Sequence, residues 1–495
     1  MTGATSGGRG LTGACGLFTC LLMIACGAET PTVTYPSGDV QVPQPPASEE
    51  PTVPPREEPG RPPPVVSTPP PPVVPAPSAP SVPTGRSWYV SVQGSDVASG
   101  TREAPLRTVG RAVTLARPGE VIRVLPGVYS ETLLLESKGT GVAAVTLRGE
   151  GSPRPRIVPA STSRSAVIRV QGRWNLENLQ LDVGGARMFA VLFTGTAGQS
   201  SLSGSELNGG TSGAGVVVEG ASGITIQNNI VRHFIQSGTD SHGVAVVGPV
   251  RGLVIRNNDI HHNSGDSIQC QGYQAPVENV LIEGNTLHDE GENAVDIKGC
   301  RNVTIRGNSM FGFPNAAVRP VGSSAGEAIV LHQSASSIVV QGNTISRAGR
   351  GVSVLAASTP SESIWVKDNH FQDIRNMPVG NGQAVRIARA RKVWVEGNLI
   401  ENTASYGLML AADGTPVEGL VVRNNTLKGG TRSFLLLRLG PQSSRPGIVL
   451  EDNHYAEGGV LKADGVLEQL TLSSPDKLGL WQRALRADEG ATLLE

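Results

Sequence analysis

A short phrase of alternating apolar and polar positions recurs along most of the chain. One copy runs from Val280 to Leu287, with apolar side chains at its first, third and eighth positions and Asn285 at its sixth. The Asn recurs at intervals of 23 to 35 residues, at Asn229, Asn258, Asn285, Asn308, Asn343, Asn369, Asn398, Asn425 and Asn453. Upstream, Leu179 and Ser205 occupy the place of the Asn. This regular spacing predicts a repeat architecture.

Each repeat holds two or three runs of alternating apolar and polar residues, separated by Gly, Asn and Ser. Such runs predict short β-strands, and none is long enough for a helix. A propeller blade needs about 40 residues, which is more than these units contain. We therefore predict an all-β parallel β-helix, a solenoid of about eleven or twelve coils whose strands stack roughly 4.8 Å apart. Val280 and Ile282 then point into the core, and Asn285 bonds to the backbone of adjacent coils.

Amphipathic segments at both ends of the repeats predict short capping helices, which cover strand edges that an open solenoid end would expose. Near the N-terminus, five apolar residues share one helical face: Leu106, Val109, Ala112, Val113 and Ala116. Near the C-terminus, in residues 466–495, Ser474 and Pro475 suit an N-cap and a first helical position. The side chains predicted to cover the last coil are Leu478, Leu480, Trp481 and Leu485.

The segment at residues 87–131 carries a family resemblance. It contains Tyr89-Val90-Ser91, Gly94-Ser95-Asp96, Gly100-Thr101, Pro105-Leu106-Arg107-Thr108, Pro118-Gly119 and Pro126-Gly127-Val128-Tyr129. This pattern resembles the start of right-handed parallel β-helix proteins of the family 9 polysaccharide lyase type, and the resemblance covers about residues 87–485. The resemblance implies a right-handed coil. It indicates the fold more than the activity, because residues 87–131 have a structural role in these proteins.

The first 86 residues indicate export and tethering. Residues 1–25 combine Arg9 with an apolar stretch too short to span a bilayer, which predicts a signal peptide. Its end resembles a bacterial lipobox with Cys26 as the lipidated residue, although ordinary cleavage near Ala25 or Ala28 is the alternative. Residues 26–86 form a Pro-rich linker predicted to be extended and disordered. We therefore expect a protein of the bacterial cell envelope that contacts the membrane through lipid on Cys26.

Charge and cysteine content bear on possible partners, on zinc binding and on cross-links. The formal net charge is −1, so no basic excess points to nucleic acid, and we expect a monomer. Cys270 and Cys300 lie outside the signal region and lack the paired spacing of a structural zinc site. When the repeats are aligned, Cys300 falls about three residues past Ile297, the counterpart of Cys270. We therefore expect no disulfide between them.

Alignment of the repeats also gathers polar residues on one outer face. In the strand from Ala294 to Lys298, the second and fourth residues point inward, so Asp296 and Lys298 face outward, with His332 one coil above. The positions just before successive strands also stack: His242, Asp266, Asn293, Glu327 and Arg350. Four carboxylates are thus predicted to gather within about two coils: Asp266, Glu292, Asp296 and Glu327. We call these four residues the carboxylate cluster.

Two interpretations of the carboxylate cluster remain open. Carboxylates that repel one another need a counter-charge, which Lys298 supplies in a simple surface ion pair with Asp296. The alternative is Ca²⁺, which prefers carboxylate oxygens. The family resemblance implies the second: the lyases hold catalytic calcium with an acid-acid-x-x-acid frame, and Glu292 to Asp296 matches that frame except for Asn293 at its second place. Asp266 matches the acid of the preceding coil, and Glu327 completes the expected ligand set.

The resemblance also implies a reaction, the β-elimination of a uronate-containing acidic polysaccharide. The base of these lyases is a lysine on a coil beyond the calcium acids, where the aligned repeats place Val330 and His332 instead. We therefore expect Lys298 or, less favoured, His332 as the base, and Arg319 and Arg350 as partners of the substrate carboxylates. One alternative is a non-catalytic β-helix that binds glycan or is purely structural. A further one is a glycoside hydrolase that uses two carboxylates. Ser241-His242-Gly243 is similar to a polygalacturonase motif, but the paired Asp residues of that motif are missing.

Overall fold

The structure is a computed structural model that describes residues 85–494, except residues 139–142, 320–325, 376–381 and 430–434. The predicted signal peptide, Cys26 and nearly all of the Pro-rich linker lie outside the described residues, so these assignments stay predictions. In the described ranges, no helix is both long enough and apolar enough to cross a membrane.

The described chain winds into an all-β parallel solenoid of about 12 turns, as predicted. Each coil contributes one strand to each of three sheets, and the two ends of the chain add further strands. The first strand of a coil joins sheet A, the second sheet B and the third sheet C. Neighbouring strands pair in parallel, apart from the antiparallel pair formed by Val460–Ala463 and Leu467–Thr471.

Sheet A comprises Ser87–Val90, Val121–Val124, Val145–Gly149, Trp174–Glu177, Ser201–Ser203, Ile224–Gln227, Val250–Arg256, Val277–Glu283, Arg301–Arg306, Ser336–Gln341, Ser361–Lys367, Ala390–Glu396, Val417–Arg423 and Val449–Glu451. Sheet B comprises Val128–Ser130, Arg156–Val158, Gln180–Asp182, Glu206–Gly210, Ile230–Phe234, Asp259–His261, Thr286–His288, Ser309–Phe313, Thr344–Ala348, His370–Ile374, Leu399–Thr403, Thr426–Leu427, His454–Ala456 and Thr492–Leu494. Sheet C comprises Leu133–Glu136, Ala166–Gln171, Phe189–Thr194, Ala214–Glu219, His242–Val247, Ile268–Gln271, Val295–Lys298, Glu327–His332, Arg350–Val354, Val385–Ile387, Leu408–Leu410, Leu435–Leu439, Val460–Ala463 and Leu467–Thr471.

Apolar side chains from all three sheets fill the interior of the coil. Val280 and Ile282 of the repeated phrase are almost completely buried, as predicted. Val280 lies opposite Leu253 on one neighbouring coil and Val303 on the other, so like positions stack along the solenoid. Because the side-chain period of a strand is two, this register also decides which residues face outward.

The recurring Asn forms a continuous hydrogen-bonded ladder at the corner between sheets A and B. The backbone N–H and the Nδ2 of Asn258 donate to Oδ1 of Asn285 at 2.9 and 3.0 Å, and Asn285 donates to Asn308 in the same way. Nδ2 of Asn285 also donates to the carbonyl of Ile255 at 3.0 Å. Ser205 extends the ladder upstream by accepting from the backbone of Leu179 at 3.1 Å. These bonds satisfy polar groups that a tight, buried corner would otherwise strand.

Two α-helices lie near the ends of the described chain. α1 spans Val109–Leu115, and Thr108 caps it by accepting from the backbone of Arg111. All five residues predicted for its apolar face are buried, but Leu106 precedes the helix and Ala116 is its C-cap, so only three of them lie within it. Single 3-10 turns occur at Ala412–Gly414 and Gln442–Ser444.

The second helix, α2, spans Pro475–Leu485, with Ser474 at its N-cap, although the Ser474 side chain makes no capping bond. Leu478 and Trp481 pack against the coil, whereas Leu480 is 42% exposed, so its predicted covering role is wrong. Positions three and seven apart lie on one helical face, and Leu480 lies off the face that Leu478 and Trp481 share.

A disulfide joins Cys270 to Cys300, with their Cα atoms 6.6 Å apart, so the expectation of no disulfide is wrong. The register places Cys270 opposite Ile297, as the alignment predicted. Beyond Lys298, however, Gly299 adopts a positive φ of 71° and turns the chain back. This turn brings Cys300 over Cys270, at a separation within bridging range.

Candidate functional site

The register of sheet C brings the predicted site residues together. Asp296 lies opposite Gln269 on the coil below, and Lys298 lies opposite Gln271 below and His332 above. These pairings agree with the alignment of the repeats. One detail differs from the prediction: Asp296 points out of the coil, but its side chain is buried, with only 5% of the residue exposed. Neighbouring side chains cover it, so this carboxylate is not freely solvated.

Asp296 is held between two potential cations. Its Oδ2 lies 3.1 Å from Nζ of Lys298, and its Oδ1 lies 2.9 Å from Nε2 of His332. Both side chains are 13% exposed, which leaves their tips within reach of solvent or a ligand. The ion pair that was predicted as the simple interpretation is therefore present, and both candidate bases contact the same carboxylate.

A second polar ladder runs along the corner that leads into sheet C. Asn293 donates to Oδ1 of Asp266 from its backbone N–H at 3.2 Å and from Nδ2 at 2.9 Å. The backbone N–H of Glu327 donates to Oδ1 of Asn293 at 2.9 Å, and Nη1 of Arg350 donates to Oε1 of Glu327 at 2.7 Å. Arg350 also donates to Gln383 on the next coil. This corner therefore has the predicted stacking order.

His242 begins this ladder beside Asp266. Nδ1 of His242 lies 3.0 Å from the backbone nitrogen of Asp266 and 3.2 Å from its Oδ2. One ring nitrogen cannot both accept and donate, so a neutral ring favours the first contact and a protonated ring the second. Burial alone would raise the pKa of Asp266, but hydrogen bonding and charge from His242, the charge of Lys298 and the bond from Asn293 outweigh it. The pKa of Asp266 is lowered, and the group is ionised at neutral pH.

The pKa of Glu292 is shifted in the opposite direction to that of Asp266. Burial, followed by the negative charges of Asp266 and Asp240, raises its pKa well above the ordinary value, although the charge of Arg319 acts against this. Nη1 of Arg319 lies 3.3 Å from Oε2 of Glu292 and also contacts Oδ1 of Asp240. The pKa of Glu292 is therefore raised beside Asp266, whose pKa is lowered. Two carboxyl groups tuned in opposite directions form an acid and base arrangement.

Sequence reasoning missed two acidic residues at this site. Asp240 comes from a coil farther down and reaches Arg319 across 79 residues of sequence. Glu290 is fully buried, and its carboxylate accepts bonds from Nδ2 of Asn263 at 3.0 Å and from Oγ of Ser267 at 2.8 Å. Burial is the main reason why the pKa of Glu290 rises to about 8. In the sequence, Glu290 could have been noticed only by its position two residues before Glu292 in the same polar loop.

The two arginines predicted to hold substrate are both engaged by protein carboxylates. Arg319 pairs with Asp240 and Glu292, and Arg350 pairs with Glu327; each arginine side chain is 12% exposed. They occupy the predicted face, but a substrate carboxylate would have to share or displace an existing partner. Their assignment as substrate ligands stays a prediction.

The same contacts bear on the predicted calcium site. Ca²⁺ takes roughly six to eight oxygen ligands and repels other cations nearby. In the carboxylate cluster, Lys298 lies against Asp296, Arg350 against Glu327, and Arg319 against Glu292. A Ca²⁺ ion at the carboxylate cluster would therefore have to displace these three cationic side chains, and the calcium site stays a prediction.

Comparison with known proteins places the fold in context. A family model described as a right handed beta helix region matches residues 190–427 and, in an overlapping match, residues 322–462, which together span more than half of the chain. An uncharacterized Bacillus subtilis protein, YwoF, is 40% identical over 60 residues, which are 12% of this chain and 13% of that protein. The chain therefore matches only about an eighth of the length of this relative.

Solved structures with similar folds differ in what they do. The GH136 lacto-N-biosidase of Eubacterium ramulus is 15% identical with a TM-score of 0.51, over 69% of this chain and 67% of that one. PfbA, a surface protein and adhesin of Streptococcus pneumoniae, is 12% identical with a TM-score of 0.50, over 74% of this chain and 98% of that one. At such identities the likeness concerns the fold alone, and the side chains of the site must support any function.

Proposed function

Because this chain belongs to the right-handed β-helix family, in which each sheet presents stacked rows of side chains, we propose that it is a carbohydrate-active enzyme. Its site is the carboxylate cluster on sheet C, where it cleaves a glycosidic bond by acid and base catalysis. The observation that carries the proposal is the pair of opposite pKa shifts at neighbouring carboxyl groups, raised for Glu292 and lowered for Asp266. Some β-helix proteins of similar fold are glycoside hydrolases, which is consistent with it.

Each residue has a role that follows from its surroundings. Glu292 donates its proton to the leaving glycosidic oxygen, and its partial exposure of 15% leaves it within reach of a bound glycan. The fully buried Asp266 helps to keep the pKa of Glu292 raised, and Asp296, whose charge acts in the same direction, is the candidate base that takes a proton from the attacking water. His332, hydrogen bonded to Asp296, orients that carboxylate, and Lys298 supplies its counter-charge. Arg319 positions Glu292 against Asp240.

The experiment is a screen of neutral and uronate-containing glycans for the release of reducing ends. On a cleaved glycan, Glu292→Gln keeps the shape of the side chain but removes the acidic proton, so turnover should fall by about 10²–10⁴-fold. Glu418→Gln is the matched control, since Glu418 is 53% exposed in an ion pair with Arg391 on sheet A, and its activity should stay unchanged. Retained activity in Glu292→Gln, or no glycan cleaved by the wild type, would contradict the proposal.

A second candidate is the predicted Ca²⁺-dependent lyase acting on an acidic polysaccharide. The observation that favours it is spatial, because Asp266 of the preceding coil contacts Asn293 inside the Glu292 to Asp296 frame. The same screen separates the candidates when it is run with Ca²⁺ and with a chelator. Unsaturated, ultraviolet-absorbing products that form only with Ca²⁺ would show that the protein is a lyase and not a hydrolase. Retention of a glycan without any cleavage would instead leave a binding module.

A further inference from the structure

A group of imidazoles and carboxylates converges on the outer face of sheet B, away from the carboxylate cluster. Its members lie on two adjacent coils, at the third and fourth positions after the ladder residues Asn258 and Asn285, and Asp259 completes it. We call this group the His–Asp cluster: Asp259, His261, His262, His288 and Asp289. Sequence reasoning did not single it out, although His261-His262 and His288-Asp289 follow the ladder Asn at the same spacing.

His288 lies at the centre of the His–Asp cluster. Its Nε2 is 3.1 Å from Oδ1 of Asp259, and its Nδ1 is 2.7 Å from Oδ2 of Asp289. On the preceding coil, Nδ1 of His261 is 2.8 Å from Nδ1 of His262. The ligand atoms of Asp259, His261 and His288 all lie within 4.8 Å of one another, and so do those of His262, His288 and Asp289. Both sets of three therefore share His288.

Stacking of like residues along the coil accounts for only part of this arrangement. His261 and His288 stack with ring centroids 4.7 Å apart, and His288 stacks on Phe311 at 4.9 Å. Any flat ring would satisfy that stack, as Phe311 does without a ring nitrogen. Stacking does not explain why carboxylates flank His288 on both sides, or why two ring nitrogens face each other on the coil below.

The backbone around the cluster also makes room for these donors. His262 and Asp289 adopt positive φ angles of 57° and 54°, a left-handed conformation that few non-glycine residues take. On the next coil the corresponding position is Gly312, and a Cβ there would lie 2.3 Å from Oδ1 of Asp289. A residue other than glycine would therefore displace the Asp289 carboxylate, so the local sequence keeps its place beside His288 open.

We propose that the His–Asp cluster binds one divalent transition-metal ion of the Zn²⁺ class through one of its two sets of three, with His288 as the ligand common to both sets. Imidazole nitrogen together with carboxylate oxygen is a donor set that Zn²⁺ accepts, whereas Ca²⁺ prefers oxygen alone. The other two protein ligands of the ion are His261 with Asp259 or His262 with Asp289, and water occupies its exposed side. Because its ligands span adjacent coils, the ion links them and stabilises this stretch of the solenoid.

Calorimetric titration of the metal-free full chain with Zn²⁺ tests the proposal. We expect one Zn²⁺ per chain, a higher melting temperature with Zn²⁺ than without it, and no competition from Ca²⁺. His288→Ala should weaken Zn²⁺ binding by about tenfold or more, and Asp259→Asn should weaken it less. Circular dichroism of each variant without metal shows whether the coil is intact. Cobalt substitution gives a second readout, because the visible spectrum of bound Co²⁺ reports nitrogen and oxygen ligands.

His370→Ala is the matched control. His370 lies on the same sheet and pairs with Glu401 at 2.8 Å, but it does not belong to the His–Asp cluster, so its loss should leave Zn²⁺ affinity unchanged. Failure of the wild type to bind Zn²⁺, or equal affinity in wild type and folded His288→Ala, would overturn the proposal. Glu292→Gln should bind Zn²⁺ normally. The metal site and the proposed enzymatic function therefore fail or succeed independently.

Discussion

Buried carboxyl groups of this protein differ in charge because their immediate partners differ. Asp266 is ionised since histidine, lysine and amide partners outweigh its burial. The pKa of Glu292 is raised since burial and three neighbouring acids outweigh one arginine. Glu290 accepts several hydrogen bonds, which favour the charged form, but full burial dominates and raises its pKa to about 8. Within a few residues, the local balance of burial and charge therefore sets opposite pKa shifts.

Glu290 gives a prediction about pH. Its pKa in the folded state lies above its ordinary value, so the folded state binds the proton more tightly than the unfolded chain does. The resulting stability is fully present below about pH 4.5 and is lost as pH rises through about 8. The loss is on the order of 5 kcal/mol in the free energy of unfolding.

Urea unfolding of the wild type and of Glu290→Gln between about pH 5 and pH 9 measures this effect. The neutral amide mimics the protonated carboxyl, so the variant should lose this part of the pH dependence while other groups titrate equally in both proteins. Parallel pH profiles for the two proteins would show that Glu290 does not titrate in this range.

At the level of the structural element, the corner between sheets A and B depends on a chain of amides. Each Asn accepts from the coil before it and donates to the coil after it, so one side chain serves three coils. The ladder ends at Asp488, whose Oδ1 accepts from Nδ2 of Asn453 at 3.0 Å. Since the corner is buried, these bonds have no replacement from water.

Asn285→Ala should therefore be strongly destabilising. It removes the acceptor used by the backbone and side chain of Asn258, and the donor used by Asn308 and Ile255. Stranded buried groups cost about 1–3 kcal/mol each, so we expect a loss of at least about 3 kcal/mol in the free energy of unfolding. Asn285→Ser should cost less, because Ser205 already serves as a ladder acceptor. Equal destabilisation by Ala and Ser in urea titrations would argue against this account.

Over the whole described coil, stability depends on how the ends are closed. The repeated strands present edges and core at each end, and α1 and α2 pack there. At the C-terminal end, Trp481 is fully buried, and its Nε1 donates to Oδ2 of Asp488 at 3.1 Å. Tyr455 donates to the same oxygen at 2.7 Å, which links the helix, the last coil and the Asn ladder.

Trp481→Ala should remove this closure. Loss of a buried Trp costs about 3–5 kcal/mol, and the freed edge should promote self-association. Leu480→Ala is the matched control on the same helix, since Leu480 is 42% exposed, and it should change stability by less than about 0.5 kcal/mol. Thermal unfolding and light scattering of both variants test this, and a Leu480 effect as large as that of Trp481 would contradict the observed helix face.

Sequence alone determined the repeat, its register and much of the candidate site. The side-chain period of a strand is two, so alternation showed which face of Val295–Lys298 points outward. The spacing of the Asn residues then aligned successive coils, which placed Asp296, Lys298 and His332 together. Both capping helices followed from local apolar spacing and, for α2, from a good helix start. All of these features depend on interactions within one coil or between adjacent coils.

Only the tertiary structure decided the contacts that depend on how the chain turns between strands. Gly299 turns the chain so that Cys300 meets Cys270, and Arg319 reaches Asp240 across 79 residues; neither follows from strand periodicity. The burial of Asp296 and Glu290 was equally hidden, because neighbouring coils and loops provide it. A pKa shift depends on that burial and on distant charges, so the sequence could gather the carboxylates but could not assign the direction in which each pKa moves.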